Sequence, residues 1–352
     1  MIKLGIQQQE AFDRIMAWHK TDAQEFALAG YAGTGKTTLA KRIAQEFGNV
    51  IFCAYTGKAA QVLRDKGCGN AGTIHGYLYR LQGEEGKEPV FGLNEESAMR
   101  YADLVIVDEY SFLNAEIIQD LRTICDKILY LGDPFQLPPV NGQCIIEPDF
   151  FIDEIHRQAL ESPIIRYATM IRNGDMIRYC DEGEFRYLKN GSLSMDDFMK
   201  ADQFIVGRND TRIRFNRRAR MIKGFEAVLP VKGDKMICLK NNPRNAVFNG
   251  MIDYAASDAE IIDYLCYGID MKELGHLNVI RDNERHDFRQ HRRLNMFDFA
   301  YAITCHKSQG SEFNDVIIYK EPIGRDITDR RKWLYTAVTR GKNRVTLTDP
   351  VR

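Results

Sequence analysis

The stretch "GYAGTGKTT", Gly30 to Thr38, constrains the fold of this chain more than any other feature. Gly30-x-x-x-x-Gly35-Lys36-Thr37 is a complete phosphate-loop pattern. Such a loop works between a buried strand and a helix N-terminus, where backbone N–H groups wrap phosphates and the helix dipole favours negative charge. Both flanks are present. Phe26-Ala27-Leu28-Ala29 reads as a buried strand, and Leu39, Ala40, Ile43, Ala44 and Phe47 recur at helical spacing. A chance glycine-rich turn would lack both. Gly30, Gly33, Thr34, Gly35 and Thr38 then form the cradle of a nucleoside triphosphate site, with ATP and Mg2+ as the expected ligands. Lys36 reaches the β- and γ-phosphates, and the Thr37 hydroxyl ligates the metal.

Three more apolar runs end in polar chemistry. "VIFCAYTGKAA" ends at Thr56-Gly57-Lys58, "LVIVDEYSF" at Asp108-Glu109, and "ILYLGDPFQLPP" at Gly132-Asp133 and Gln136. In parallel α/β sheets, ligands collect beyond the carboxyl ends of strands. An acidic pair after a Val/Ile-rich strand, downstream of a phosphate loop, suits a metal-holding Asp108 and a water-activating Glu109.

At 352 residues, about two domains are expected. Neither end shows a secretory h-region, and no apolar run is long enough to cross a bilayer. The eight cysteines are scattered singly with no C-x-x-C pair, which argues against a zinc site or disulfide framework and fits a cytoplasmic protein. The net charge of −1 leaves nucleic acid open, since a local basic groove can hold a polyanion.

The order GYAGTGKT, YTGKAA, TIH, VDEYS, GDPFQLPP, TCHKSQGSEF and LYTAVTRGKNR resembles superfamily-one helicases of the 5′-to-3′ branch. Within that branch the chain is most similar to the Dda and RecD helicases, over about Leu4 to Val345. Seven motifs in this order make coincidence implausible. The resemblance implies two RecA-like domains with ATP between them, here 1–149 and 150–352. It implies arginine fingers at Arg157 in "EIHRQ" and Arg340 in "AVTRGK", an adenine-reading Gln8, and a γ-phosphate sensor at Gln136. Gln7 and Gln9 leave the register of Gln8 open by one. Gly310 and Glu312 would border the nucleotide from the second domain.

The same resemblance implies single-strand contacts at Thr56, Lys58, Thr73 and His75 in the first domain, and at Thr304, His306 and Lys307 in the second. Hydroxyls, amides and lysine are ordinary phosphate ligands, and they position a strand without reading its sequence. Two basic stretches, "RNDTRIRFNRRAR" (208–220) and "RDNERHDFRQHRR" (281–293), read either as solvated faces or as walls of a nucleic-acid groove.

Between "TIH" and "VDE", Tyr77, Tyr79 and Leu81 alternate before a turn-rich tip and an extended "PVF". A β-hairpin insert over about 76–100 is expected, where relatives carry a duplex-splitting pin. Phe91 is the candidate wedge, with Tyr77 and Tyr79 as rivals. The segment 223–296 is expected to be an SH3-like β insert, shorter than in Dda-type enzymes and lacking a glycine of the RecD pattern in "FNGMIDY".

The expected activity is ATP-dependent 5′-to-3′ unwinding of DNA in replication, recombination or repair. The expected setting is a monomer in a bacterial or phage-infected cytoplasm. Its partners would be single-stranded DNA and duplex junctions, with single-strand-binding or replication proteins as candidates and no membrane. The alternatives are a single-strand translocase with weak unwinding and a regulatory ATP-binding module. A binding module needs neither a water-activating acid nor paired fingers.

Overall fold

The computed structural model describes residues 4–85, 88–138, 145–154, 161–189, 191–242, 245, 247–281 and 294–350. The chain divides into two compact units, Met1–Ile177 with Gly324–Thr339, and Arg178–Ile323 with Arg340–Arg352.

The first unit opens with α1 (Ile6–Trp18), β1 (Glu25–Gly30), α2 (Lys36–Ala44), β2 (Val50–Ala54), α3 (Gly57–Asp65) and β3 (Ala71–Thr73). A short α4 (Ile74–Leu78) leads into the hairpin of β4 (Tyr79–Glu85) and β5 (Glu88–Leu93). Then come β6 (Leu104–Asp108), α5 (Ala115–Ile124), β7 (Ile128–Gly132), β8 (Phe150–Ile152) and α6 (Pro163–Asn173). Six strands form one parallel sheet in the order β3-β2-β6-β7-β1-β8. Alternate residues of a strand face opposite sides. Leu28, Ile106 and Leu129 enter one core with Leu39 and Ile43 of α2, while Ala27, Val107 and Tyr130 enter the other with Ile118 and Leu121 of α5. Burial on both faces is why these strands read as unbroken apolar runs. Parallel pairing also brings the carboxyl ends of β1, β2, β3, β6 and β7 to one edge.

The second unit contains β9 (Cys180–Asp181), β10 (Phe185–Leu188), α7 (Met195–Lys200), β11 (Gln203–Val206) and α8 (Asn209–Ile222). Six short strands follow: β12 (Lys235–Cys238), β13 (Ile252–Tyr254), β14 (Glu260–Ile261), β15 (Cys266–Met271), β16 (Gly275–Ile280) and β17 (Phe297–Phe299). The chain closes with β18 (Ala302–Thr304), α9 (Cys305–Ser308), β19 (Phe313–Tyr319), α10 (Ile327–Val338) and β20 (Gly341–Thr348). The main sheet runs β18-β11-β19-β20-β10-β9, parallel except for β9. The inserted strands make two antiparallel sheets, β13-β12-β17 and β14-β15-β16, around Met236, Tyr267, Ile269, Leu277 and Phe297.

The division departs from a boundary at 149/150. Strand β8 pairs with β1 as the sixth strand of the first sheet, and α6 packs against α10, which returns to the first unit from late in the chain. All six residues from Trp333 to Val338 are buried. That covers more than one full turn, so this end of α10 is enclosed all round rather than along one stripe.

The hairpin also differs in detail. Tyr77 lies in α4, and its hydroxyl donates to the Asn70 carbonyl at 2.7 Å. The extended run starts only at Tyr79, whose hydroxyl donates to Asp120. Both rivals to Phe91 are thereby bonded back to the unit. Phe91, paired across the hairpin with Leu81, is 59% exposed.

The seven described cysteines are free thiols. Among the described residues, no helix is long and apolar enough to cross a membrane, and no cluster of three or more His, Cys, Asp or Glu could hold a metal.

Candidate active site and nucleic-acid contacts

The phosphate loop joins β1 to α2 with Gly33 at φ +82° and Gly35 at φ +73°. In that left-handed region a side chain costs roughly 1–2 kcal/mol, which is why glycine stands at both positions. Lys36 curls over the loop, its Nζ donating to the carbonyls of Gly30 at 2.6 Å and Tyr31 at 2.9 Å. The Thr34 hydroxyl donates to the Tyr31 carbonyl at 2.9 Å. The Tyr31 ring lies under the Arg172 guanidinium, 3.4 Å from Cζ to the centroid, and meets Phe151 edge-on.

Gln8, the expected base reader, is bonded within the chain. It is 3% exposed, its Nε2 donates to the Thr34 carbonyl at 3.0 Å, and its Oε1 accepts from the Gly5 N–H at 3.1 Å. Both ends of the amide serve the chain itself, so Gln8 braces the phosphate loop from behind. Neighbouring Gln7 binds Asp153 and Glu154, accepting both backbone N–H groups at 2.9 and 2.8 Å.

Asp108 ends β6 and Glu109 follows with φ +57° and ψ +51°, one of two described non-glycine residues in the left-handed region. Asp108 Oδ1 accepts the Glu109 N–H at 3.1 Å. A strained backbone at an acidic pair, on the same edge as the phosphate loop, is a mark of a functional position. After β7, Gln136 is fixed by its N–H to the Asp133 carbonyl at 3.1 Å. Its buried Oε1 has no hydrogen-bond partner among the described residues. Such a buried oxygen calls for a hydrogen-bond donor. Arg157 lies outside the described residues.

In the second unit Arg340 is 5% exposed, and its Nη1 donates to the Ser311 carbonyl at 3.3 Å. The Arg340 carbonyl accepts the Phe313 N–H at 2.9 Å. The guanidinium therefore lies at the Gly310–Glu312 turn, where Gly310 takes φ +70° and Glu312 pairs with Lys342 at 3.6 Å. Three residues named separately from the sequence come together here.

Thr56 and Thr73 are N-caps of α3 and α4, accepting the N–H groups of Ala59 and Gly76 at 3.1 Å each. A capping oxygen leaves its own O–H to donate outward. Lys58 is half-buried on the first turn of α3. The His75 ring lies 5.6 Å from each of the Tyr55 and Tyr79 rings, and burial lowers its pKa, so it is neutral at pH 7. Its Nδ1 is buried with no partner among the described residues. Thr304, buried, is the N-cap of α9, and His306 is likewise pushed down by burial. Lys307 Nζ donates to Asn249 Oδ1 at 2.8 Å. Asn249 was not singled out from the sequence, although it sits in the "FNGM" segment that departs from the RecD pattern. The β insert thus aims a lysine.

The first basic stretch splits. Arg212 pairs with Asp298 at 2.5 Å, and buried Arg220 with Asp234 at 3.0 Å, both structural. Arg214, Arg217 and Arg218 occupy the exposed face of α8. In the second stretch, residues 282–293 lie outside the described residues.

A phosphate loop with an acidic pair and Gln136 on the same edge of a parallel sheet defines a P-loop NTPase. Residues 3–191 match the model of a family described as an AAA domain, and residues 299–348 that of the UvrD-like helicase C-terminal domain. The first match spans more than half of the chain, which therefore belongs to that AAA-domain family. It is 27% identical over 361 residues to the ATP-dependent RecD2 DNA helicase of Deinococcus radiodurans, covering 90% of this chain and 46% of that one. It is 28% identical over 186 residues to the ATP-dependent DNA helicase dda of Enterobacteria phage T4, covering 47% and 42%. The chain thus spans less than half the length of these curated relatives. In fold it is similar to Pif1 helicase solved at forked double-stranded DNA (TM-score 0.62, 18% identity, 98% and 92% covered). It is also similar to Bacteroides Pif1 in complex with ADP-AlF3 and single-stranded DNA (TM-score 0.59, 18% identity, 99% and 92% covered).

Proposed function

We propose that this protein is an ATP-driven motor that moves 5′ to 3′ along single-stranded DNA and opens duplex ahead of it. The observation that carries the reading is the left-handed backbone at Glu109, next to Asp108 and on the same sheet edge as the phosphate loop. Lys36 reaches the phosphates, Glu109 activates water and Gln136 senses its position. Arg340 and Arg157 supply charge to the transferring phosphoryl group. Thr37 and Asp108 offer oxygen ligands, the set that Mg2+ prefers alongside substrate phosphates. Thr56, Lys58, Thr73 and His75 hold the strand from the first unit, and Thr304, His306 and Lys307 from the second.

The inserted strands β12 to β17 serve as the SH3-like element, and the β4–β5 hairpin as the pin. Its exposed Phe91 favours active unwinding over a translocase that opens duplex poorly. Base–aromatic stacking is worth about 1–3 kcal/mol, comparable with the mean of about 1.4 kcal/mol for a DNA base-pair step. One ring can therefore hold a fork that fluctuation has opened. In Phe91→Ala, most duplex unwinding should be lost while single-strand-stimulated ATPase stays near the parent rate. Equal loss of both activities, with a lower melting temperature, would remove Phe91 from the mechanism.

Polarity rests on the relatives rather than on residue chemistry. The decisive measurement is unwinding of 5′- and 3′-tailed duplexes at equal ATP. The 5′-tailed substrate should open and the 3′-tailed one should not. The reverse result would overturn the assigned direction.

A further inference from the structure

The Tyr335 hydroxyl, on α10, is buried within the first unit and bonded on both sides. It accepts the Ala32 N–H, in the middle of the phosphate loop, at 2.9 Å and donates to Asp133 Oδ2 at 2.5 Å. Asp133 follows β7 directly, is 3% exposed, and accepts the Phe135 N–H on its other oxygen at 3.0 Å. The Tyr335 ring meets Phe135 edge-on at 5.4 Å, and the adjacent Thr336 hydroxyl accepts the Leu137 N–H at 3.0 Å. One turn of α10 thus grips the segment from Asp133 to Leu137 that carries Gln136. Through a single oxygen it also grips the phosphate loop.

A buried carboxylate is costly unless it is hydrogen-bonded, and Tyr335 is one of its donors. Burial and the Asp133 charge hold the phenol well above its ordinary range, so it remains a donor across the working pH. The catalytic value of a phosphate loop lies in where its N–H groups point, and small misplacements cost rate. Here the Ala32 N–H is given to a residue about three hundred positions away, which pins the loop's backbone and with it the N–H groups that follow.

We propose that Tyr335 is a positioning residue for ATP hydrolysis, locking the phosphate loop in register with the Gln136 segment through its one hydroxyl. The proposal rests on reading Gly30–Thr38 as the ATP site. Tyr335→Phe keeps the ring and its contact with Phe135 but removes both hydrogen bonds. Its kcat for single-strand-stimulated hydrolysis should fall about tenfold or more, equivalent to losing one good buried bond in the transition state. The KM for ATP should move less than about threefold, since ground-state binding uses the rest of the loop. If the two residues act as a unit, the double variant Tyr335→Phe with Asp133→Asn should be no slower than the slower single variant.

A purely structural tyrosine gives another pattern: a lower melting temperature, unchanged kcat per folded molecule, and additive losses in the double variant. That pattern would overturn the proposal. Lys36→Ala, run in parallel, separates the two levels. If Lys36→Ala is inactive and Tyr335→Phe turns over at the parent rate, the positioning role alone fails. If Lys36→Ala still hydrolyses ATP, the site assignment itself fails.

Discussion

Replacing Lys36 with Ala should abolish ATP turnover while leaving nucleotide-free affinity for single-stranded DNA intact. The Lys36 ammonium is already drawn over the loop, 2.6 and 2.9 Å from the carbonyls of Gly30 and Tyr31. Phosphoryl transfer offers the protein little covalent work, so positioning and charge carry most of the catalysis. Removing this charge removes both. The strand contacts proposed at Thr56, Lys58, Thr73 and His75 belong to the starts of α3 and α4, away from the phosphate loop, which is why binding should persist. A coupled ATPase assay and fluorescence anisotropy on an oligonucleotide separate the two readouts. Turnover near the parent rate would end the assignment of the site.

Arg340→Ala should lower kcat by roughly 10³ or more, with a smaller change in ATP affinity. A finger acts on charge that develops in the transition state, so ground-state binding senses it less. Arg340 is held in place within the second unit. It is buried, bonded to the Ser311 carbonyl, and set at the Gly310–Glu312 turn. Part of its effect is therefore structural, and Arg340→Lys keeps the charge while losing the planar fork. The lysine variant should recover a fraction of the loss at most. Collapsed nucleotide affinity with high residual turnover would make Arg340 a binding or structural residue instead.

The two assays together test a proposed motor whose parts were unequally legible. Phe91 illustrates the middle ground. An alternating run and a turn-rich tip predicted the hairpin, but only the structure shows that Tyr77 and Tyr79 are bonded inward while Phe91 stands exposed. The arginine-rich stretch 208–220 behaves similarly. Its charge is visible in the sequence, yet two of its six arginines are spent on Asp298 and Asp234.

What the sequence by itself determined was everything encoded over short range. The phosphate loop, its strand and helix, the acidic pair after β6 and the apolar runs of the parallel sheet all follow from local spacing. Glycines at Gly33 and Gly35 follow from local backbone geometry. The tertiary structure alone decided which distant groups meet. Gln8 turns its amide to Thr34 and so braces the loop, Asn249 steers Lys307, and α10 returns to the first unit to place Tyr335 between Ala32 and Asp133. The physical reason is common to all three. A hydrogen bond between residues 26, 58 or 202 positions apart leaves no periodicity in the chain, because its geometry exists only once packing has brought the partners together.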